Sequence, residues 1–147
     1  MSDIEEFFKN ALFSSYANIV IMETRLCNQA QSEVRPTQKE VLYMYCIWNR
    51  KNFTASDLVE ILGSSKALVS QTIIGMEKKG YIVRTKDPED NRRQILQISP
   101  QRLAETQMEL KILDESISKL RTMYSPEEIE KAGKMLMTLT NLMVNQS

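Results

Sequence analysis

Histidine is absent from this 147-residue sequence, and cysteine occurs only twice, at Cys27 and Cys46. Without histidine, imidazole can serve neither as a catalytic acid or base nor as a metal ligand. The two cysteines do not form a CxxC pair, so we expect neither a structural zinc site nor a disulfide scaffold, and a reducing compartment is indicated. We therefore expect no metal and no cofactor.

Long apolar runs and an overall excess of one charge are also missing. No run is long enough to span a bilayer, and the acidic start MSDIEEFF differs from a signal peptide, so we expect a cytoplasmic protein without membrane contact. Nineteen basic residues balance nineteen acidic residues. No nucleophile–base pairing, glycine-rich phosphate loop or carboxylate dyad stands out, so an enzyme is not expected.

The most informative pattern lies in residues 54–99. Residues 54–62 have helical spacing, with Leu58, Ile61 and Leu62 on one apolar face. Thr54 and Asp57 can form a capping box, and Gly63 stands where helices commonly end. Ser64 and Ser65 then offer a new cap for a second helix that runs to Lys79. Two short helices joined through a turn that contains glycine predict a helix-turn-helix.

The two faces of the second predicted helix differ in character. Val69, Ile73 and Met76 recur at spacings of four and three, which predicts that they face the core. The opposite side is small and polar near its start, so it can approach the floor of a DNA groove, where serine and glutamine can hydrogen-bond base edges. This outer side consists of Lys66, Ala67, Ser70, Gln71 and Ile74.

Past Gly80 the apolar period changes from helical to two, in residues 81–86 and again in residues 94–99. The charged segment DPEDNRR separates them, and Asp87-Pro88 fits the first two positions of a type I turn. This predicts a β-hairpin with a charged tip. We expect the Asp90 and Arg92 side chains to pair, which would hold Arg92 extended toward a narrow minor groove.

With these features, residues 36–99 resemble the winged helix-turn-helix of MarR-type transcriptional regulators. The resemblance rests on the helix start near Thr37, the pattern VSQTIIGMEKKGYIVR and the segment DPEDNRR. It implies major-groove contacts from the start of the second helix and a minor-groove contact from the wing. The sequence departs from the family pattern at Asn91, where an arginine is common, and in ISPQRL after the second wing strand. The resemblance implies DNA contacts from Ser65, Lys66, Ser70, Gln71, Asp90 and Arg92. We also expect DNA contacts from Ala67, Arg84 and Arg93.

The charge of residues 63–98 supports a modest attraction to DNA. This segment contains seven lysines and arginines and four acidic residues, a local excess of three positive charges. Arg84 and Lys86 fit phosphate contacts and plain strand-face charges equally well, and the helix dipole alone accounts for Lys78 and Lys79 at a solvated helix end. We therefore expect weak, salt-sensitive non-specific binding.

The flanking residues predict helices with apolar stripes. Residues 2–31 form the first, and residues 37–48 form a second that packs beneath the helix-turn-helix through Val41, Leu42, Met44, Tyr45 and Trp48. Residues 100–124 form a third, with an apolar stripe from Leu103 to Tyr124. A last helix follows the Ser125–Glu128 capping box and carries a narrow seam of Ile129, Ala132, Leu136, Leu139 and Met143. The stripes at the two ends exceed what one chain can cover, so we expect a two-fold homodimer. The predicted fold class is mostly α with a small β-hairpin wing. We expect a single domain, residues 1–147, with a DNA-binding lobe at 36–99 and a helical dimerisation lobe at 1–35 and 100–147.

The predicted function is a dimeric, sequence-specific transcriptional regulator, and the family mode is repression released by a small effector. Its partners would be a near-palindromic DNA operator, a second copy, and a small aromatic or phenolic molecule whose binding residues are unknown. Tyr16, Tyr43, Tyr45 and Trp48 either line an effector pocket or serve as core aromatics. Two alternatives stay open: a redox-responsive regulator that uses Cys27, and a winged-helix adaptor that binds only protein. The apolar context of Cys46 predicts an inert thiol.

Overall fold

The computed structural model describes residues 2–30, 35–48 and 50–147. Within these ranges the chain forms seven helices and one two-stranded antiparallel sheet. It divides into two compact units, and the boundary along the chain lies between Thr106 and Gln107. The elements are α1 (Asp3–Gln29), α2 (Gln38–Trp48), α3 (Ala55–Leu62), α4 (Lys66–Lys78), β1 (Ile82–Lys86), β2 (Gln94–Ile98), α5 (Pro100–Glu105), α6 (Gln107–Met123) and α7 (Pro126–Gln146). The predicted class, mostly α with a hairpin wing, is confirmed.

Capping residues set the starts of the helices, as predicted. Complete capping boxes join Ser2 to Glu5, Thr54 to Asp57 and Ser125 to Glu128, so each pair satisfies two helix N–H groups that have no intrahelical partner. The backbone N–H groups of Thr37 and Glu40 exchange the same two bonds with each other's side chains. The predicted end of the first helix at Gln31 lies outside the described residues, and Ala30 is its C-cap in the part that is described.

The core lies in the first unit, where α2, α3, α4 and the hairpin meet. Tyr43, Leu58, Ile73, Met76 and Ile82 are among its fully buried side chains. Strand β2 is also joined to the residues before α3, since the N–H of Leu96 donates to the carbonyl oxygen of Phe53 at 2.7 Å and Thr54 forms an isolated bridge with Ile95. The wing is therefore fixed to the start of α3 as well as to the end of α4.

The predicted inner face of α2 was partly wrong. Met44 is buried and Val41 packs against the core, but Leu42, Tyr45 and Trp48 are 47%, 49% and 43% exposed. Tyr43 and Ile47 take the buried positions instead. The segment VLYMYCIW is apolar on every side, so its spacing alone does not decide which face turns inward.

The interpretation of the aromatic residues as core side chains holds for Tyr43 only. Tyr45 and Trp48 are exposed as described above, and Tyr16 is 64% exposed. Ile61, predicted to share the buried face of α3 with Leu58, is also exposed. Tyr16, Trp48 and Ile61 therefore lie outside the core, and the hydroxyl of Tyr45 donates a hydrogen bond to Oε1 of Glu23 on α1.

In the second unit, α6 and α7 contain no buried residue, although every residue of both helices is described. The seam predicted on α7 is open: Leu136 and Met143 are about half exposed. The stripe predicted to run through residues 103–124 is interrupted, because α5 ends at Glu105 with Thr106 as its C-cap and α6 begins at Gln107. In α1 of the first unit, where all residues are described, none is buried either.

Candidate nucleic-acid interface

Helix α4 separates its two faces as the sequence predicted. Val69, Ile73 and Met76 are almost completely buried, which fixes the rotation of the helix about its own axis. The side chain of Ser65 caps the helix by accepting the N–H of Leu68 at 3.2 Å. All five side chains of the predicted outer side are exposed: Lys66, Ala67, Ser70, Gln71 and Ile74.

The end of α4 is held by backbone geometry that only glycine adopts easily. Gly80 has φ +75°, its N–H donates to the carbonyl oxygen of Glu77, and the N–H of Tyr81 donates to that of Met76 at 2.9 Å. These two bonds form a Schellman motif, which stops the helix and starts the strand in one step. The direction of β1 relative to α4 is set by this turn.

An ion pair also ties the end of α4 to the start of α2. The Lys79 Nζ atom lies 2.7 Å from Oε1 of Glu40, whose side chain is almost completely buried. Burial acts to raise the pKa of Glu40, but the hydrogen bonds from Lys79 and Thr37 outweigh it, so its pKa is lowered. Lys79 is exposed at the end of α4 as expected, but the helix dipole alone does not account for it, because it also pairs with Glu40. No local pattern shows this pair, because its members are 39 positions apart.

The hydrogen-bonded turn of the wing lies three residues later than predicted. The N–H of Arg93 donates to the carbonyl oxygen of Asp90 at 2.9 Å, which closes a turn over residues 90–93. Asp87 instead accepts the N–H of Glu89 through its Oδ1 atom at 2.9 Å, in an Asx turn. Both aspartates are turn formers, and the sequence does not say which of them closes the hairpin.

The predicted ion pair between Asp90 and Arg92 was wrong. Among the described residues, the ion pairs within 4 Å do not include these two side chains. Oδ1 of Asp90 accepts the backbone N–H of Arg92 at 3.0 Å, so the carboxylate orders the backbone of the tip. The side chains of Arg92 and Arg93 are exposed.

Arg84 joins the wing to α4 in this structure. Its guanidinium lies 2.7 Å from Oε2 of Glu77 and donates to Oε1 of Gln94 at 3.3 Å. Both side chains of the ion pair are about one third exposed, so the pair can open toward a phosphate. Among the described residues, Arg84 is the one predicted interface cation that forms an ion pair.

Comparison with known proteins agrees with this geometry. The model of the MarR family matches residues 37–93, the segment that contains α2, the helix-turn-helix and most of the hairpin. The winged helix-turn-helix of this chain is of the MarR type. No curated protein matches the sequence.

Solved structures match nearly the whole chain at low identity. Streptococcus pneumoniae FabT, solved in complex with DNA, is 20% identical over 97% of this chain and 99% of its own, with a TM-score of 0.72. A mutant of MepR from a multidrug-resistant clinical isolate of S. aureus is 17% identical over 97% and 98%, with a TM-score of 0.67. MepR bound to ethidium bromide is 21% identical over 89% and 96%, with a TM-score of 0.54. The likeness to these proteins shows the fold.

The first unit contains an open groove of about 490 Å³. Its walls are mainly apolar and come from the end of α2, from both wing strands and from the start of α5. Trp48, Val83 and Leu103 are exposed side chains in this wall, and Arg50 adds a cation. Of the four aromatic residues considered for an effector pocket, Trp48 is the one that lines this groove.

The two cysteines occupy different settings. Cys46 packs against the core of the MarR-type segment, and burial raises the pKa of its thiol, although Arg50 acts in the opposite direction. A raised pKa disfavours the reactive thiolate. Cys27 lies near the end of α1 and is partly buried. Within the described part of the chain, no helix is both long and apolar enough to span a bilayer.

Proposed function

We propose that this protein is a sequence-specific DNA-binding transcriptional regulator that acts as a homodimer. The observation that carries the proposal is the division of α4 into a buried face and an exposed face of small and polar side chains. A helix of this kind fits the major groove of DNA, which is about 12 Å wide. The MarR-type fold favours such a regulator over an enzyme.

The side chains of α4 have distinct roles in this proposal. Gln71 faces base edges, where a glutamine can pair with adenine through two hydrogen bonds. Ser70 and Ala67 allow a close approach, and Lys66, in the first turn of the helix, binds a phosphate. The phosphate offsets the unfavourable position of this cation at the positive end of the helix dipole.

The wing supplies the second contact. Asp90 orders the backbone of the tip, and the exposed Arg92 reaches the adjacent minor groove, whose negative potential attracts arginine where the groove is narrow. Arg93 and Arg84 bind phosphates, and Arg84 exchanges its partner Glu77 for DNA. Residues 36–99 form the DNA-binding lobe in this proposal.

The dimer follows from the apolar surface that the chain leaves open. Phe7 and Phe13 on α1 and Leu136 and Met143 on α7 are exposed, at positions that a soluble monomer rarely leaves uncovered. A second copy covers these helices in a two-fold arrangement, so residues 1–35 and 100–147 form the dimerisation lobe. Two recognition helices related by this axis require an operator that is nearly palindromic, with half-sites about one helical turn apart.

Repression by occlusion of a promoter, released by a small molecule, is the mode of action that we propose. The groove beside Trp48 suits an aromatic or phenolic effector, since its wall is apolar and Arg50 offers a partner for an acidic group. Trp48 is the single tryptophan of the sequence, so its fluorescence reports on the groove directly. Titration with benzoic and phenolic acids should change this fluorescence in wild type and much less in Arg50→Ala. Equal responses from both proteins would remove Arg50 from the effector site.

Selection of bound fragments from random duplex DNA tests the proposed function. Purified protein should enrich one near-palindromic sequence, because each protomer presents the same face of α4. Footprinting of the selected sequence should then show two protected half-sites related by two-fold symmetry. If no sequence is enriched at low salt, the winged helix-turn-helix serves another purpose, and the protein-binding adaptor becomes the better hypothesis.

A further inference from the structure

Gly75 lies inside α4, and the chain itself gives no reason for a glycine there. The described glycines with positive φ are Gly63 and Gly80, so the backbone at Gly75 suits any residue of L configuration. Apart from its chain neighbours and the backbone of its own helix, a Cβ atom placed on Gly75 would meet no atom of the described residues within 4 Å. A glycine inside a helix is destabilising relative to alanine. The glycine therefore lowers the stability of the helix, although the packing of the fold does not require the side chain to be absent.

The position of Gly75 on α4 suggests what the missing side chain makes room for. Gly75 comes four residues after Gln71 and three before Lys78, so the three lie next to each other on successive turns. Gln71 and Lys78 are exposed, and Gly75 is partly exposed. Along this line the helix presents the amide group of Gln71, then no side chain at Gly75, then the ammonium group of Lys78.

A helix with its side chains is about 10–12 Å across, which nearly equals the width of the major groove. Where such a helix leaves the groove, a sugar–phosphate strand must pass close to it. We propose that Gly75 is the crossing point, where the missing side chain lets one DNA strand approach the backbone of α4 and Lys78 binds a phosphate of that strand. This inference rests on the proposed function, because it assigns a strand contact to the same DNA surface.

Gly75→Ala gives the test two readouts that move in opposite directions. The melting temperature should rise, because alanine is the better helix former and its methyl group meets nothing in the chain. Affinity for the selected operator should fall about five-fold or more, since one extra methyl in a close-packed contact commonly costs that much. Gly75→Leu should weaken binding further while the circular dichroism spectrum stays helical.

The salt dependence of binding separates a strand contact from a general disturbance. Displacement of the strand loses the phosphate bound by Lys78, so Gly75→Ala and Lys78→Ala should each flatten the slope of log affinity against log salt by about one unit. The double variant should lose little more than either single variant. Lys111→Ala is the matched control, because this exposed lysine of α6 is not among the proposed DNA contacts and its loss should leave the slope unchanged.

Each outcome decides between the hypotheses. If wild type binds the operator and Gly75→Ala binds it with the same affinity and slope, the crossing point is elsewhere and the proposed function stands. If Gly75→Ala melts below wild type, the fold does need this glycine and the argument fails. If wild type selects no DNA, the proposed function itself fails and this inference fails with it.

Discussion

Glu40 and Lys79 form an ion pair, and replacing one or the other should destabilise the fold to different extents. Glu40 is 7% exposed, whereas the side chain of Lys79 is 35% exposed and can regain water when its partner is lost. Glutamine can take the place of glutamate in a capping box, so Glu40→Gln can keep the bond to Thr37 while it loses the charge and the oxygen that accepts from Lys79. We expect Glu40→Gln to lower the free energy of unfolding by about 1–2 kcal/mol, a charged hydrogen bond discounted for the exposure of Lys79.

Lys79→Met should destabilise more than Glu40→Gln. It leaves a buried carboxylate without its cation, and a buried charge is costly when it is unpaired. Glu40→Ala should also exceed Glu40→Gln, by about 1 kcal/mol, since it removes the cap as well as the charge. Urea denaturation measures the free energy of unfolding of all three variants. One fixed protein concentration is used, because association of protomers makes the apparent stability depend on concentration. Equal stabilities for wild type and Glu40→Gln would refute the argument.

The same pair predicts a dependence of stability on pH. The pKa of Glu40 is lowered in the folded protein from an ordinary value of 4.5, so the unfolded chain takes up the proton first as the pH falls. The contribution of Glu40 is therefore complete above about pH 4.5 and is lost as the pH falls through its folded-state pKa. The difference in stability between wild type and Glu40→Gln should shrink over this acidic window. A difference that stays constant down to pH 3 would contradict the ion pair as its source.

Three further predictions concern the dimer, the operator and the thiols. Replacement of Leu136 and Leu139 by lysine should give monomers or insoluble protein, because both lie on the open seam of α7, and a wild-type monomer at micromolar concentration in ultracentrifugation would contradict the dimer. Footprinting should protect two half-sites about one helical turn apart, whereas a single short asymmetric site would count against two-fold binding. Cys27→Ser and Cys46→Ser should bind DNA and respond to peroxide as wild type does, and release of wild type alone by peroxide would favour the redox alternative.

Helix α4 could be predicted from the sequence because several local signals agree. The cap at Ser65, the spacing of Val69, Ile73 and Met76, and the stop at Gly80 all indicate the same helix with the same buried face. Each signal acts within one or two turns of helix, and no distant part of the chain is needed to interpret it. The agreement of independent local signals explains why this element was predicted correctly.

Other features depend on contacts that local patterns do not contain. Helix α2 is apolar on every side, and only the packed core shows that Tyr43 and Ile47 turn inward. The hairpin tip offers Asp87 and Asp90 as equivalent turn formers, and the hydrogen bonds of the folded wing decide between them. The distant Glu40–Lys79 pair becomes visible only when α2 and α4 lie side by side.

A salt titration of DNA binding tests the central claim most directly, with wild type, Gln71→Ala and Arg92→Ala on the selected operator and on scrambled DNA. Gln71→Ala should lose about 1–3 kcal/mol on the operator and almost nothing on scrambled DNA, because it removes a base contact. Arg92→Ala should weaken binding to both and flatten the salt slope, because it removes a cation from the DNA backbone and minor groove. If both variants bind both DNAs as wild type does, neither α4 nor the wing contacts DNA, and the account is contradicted.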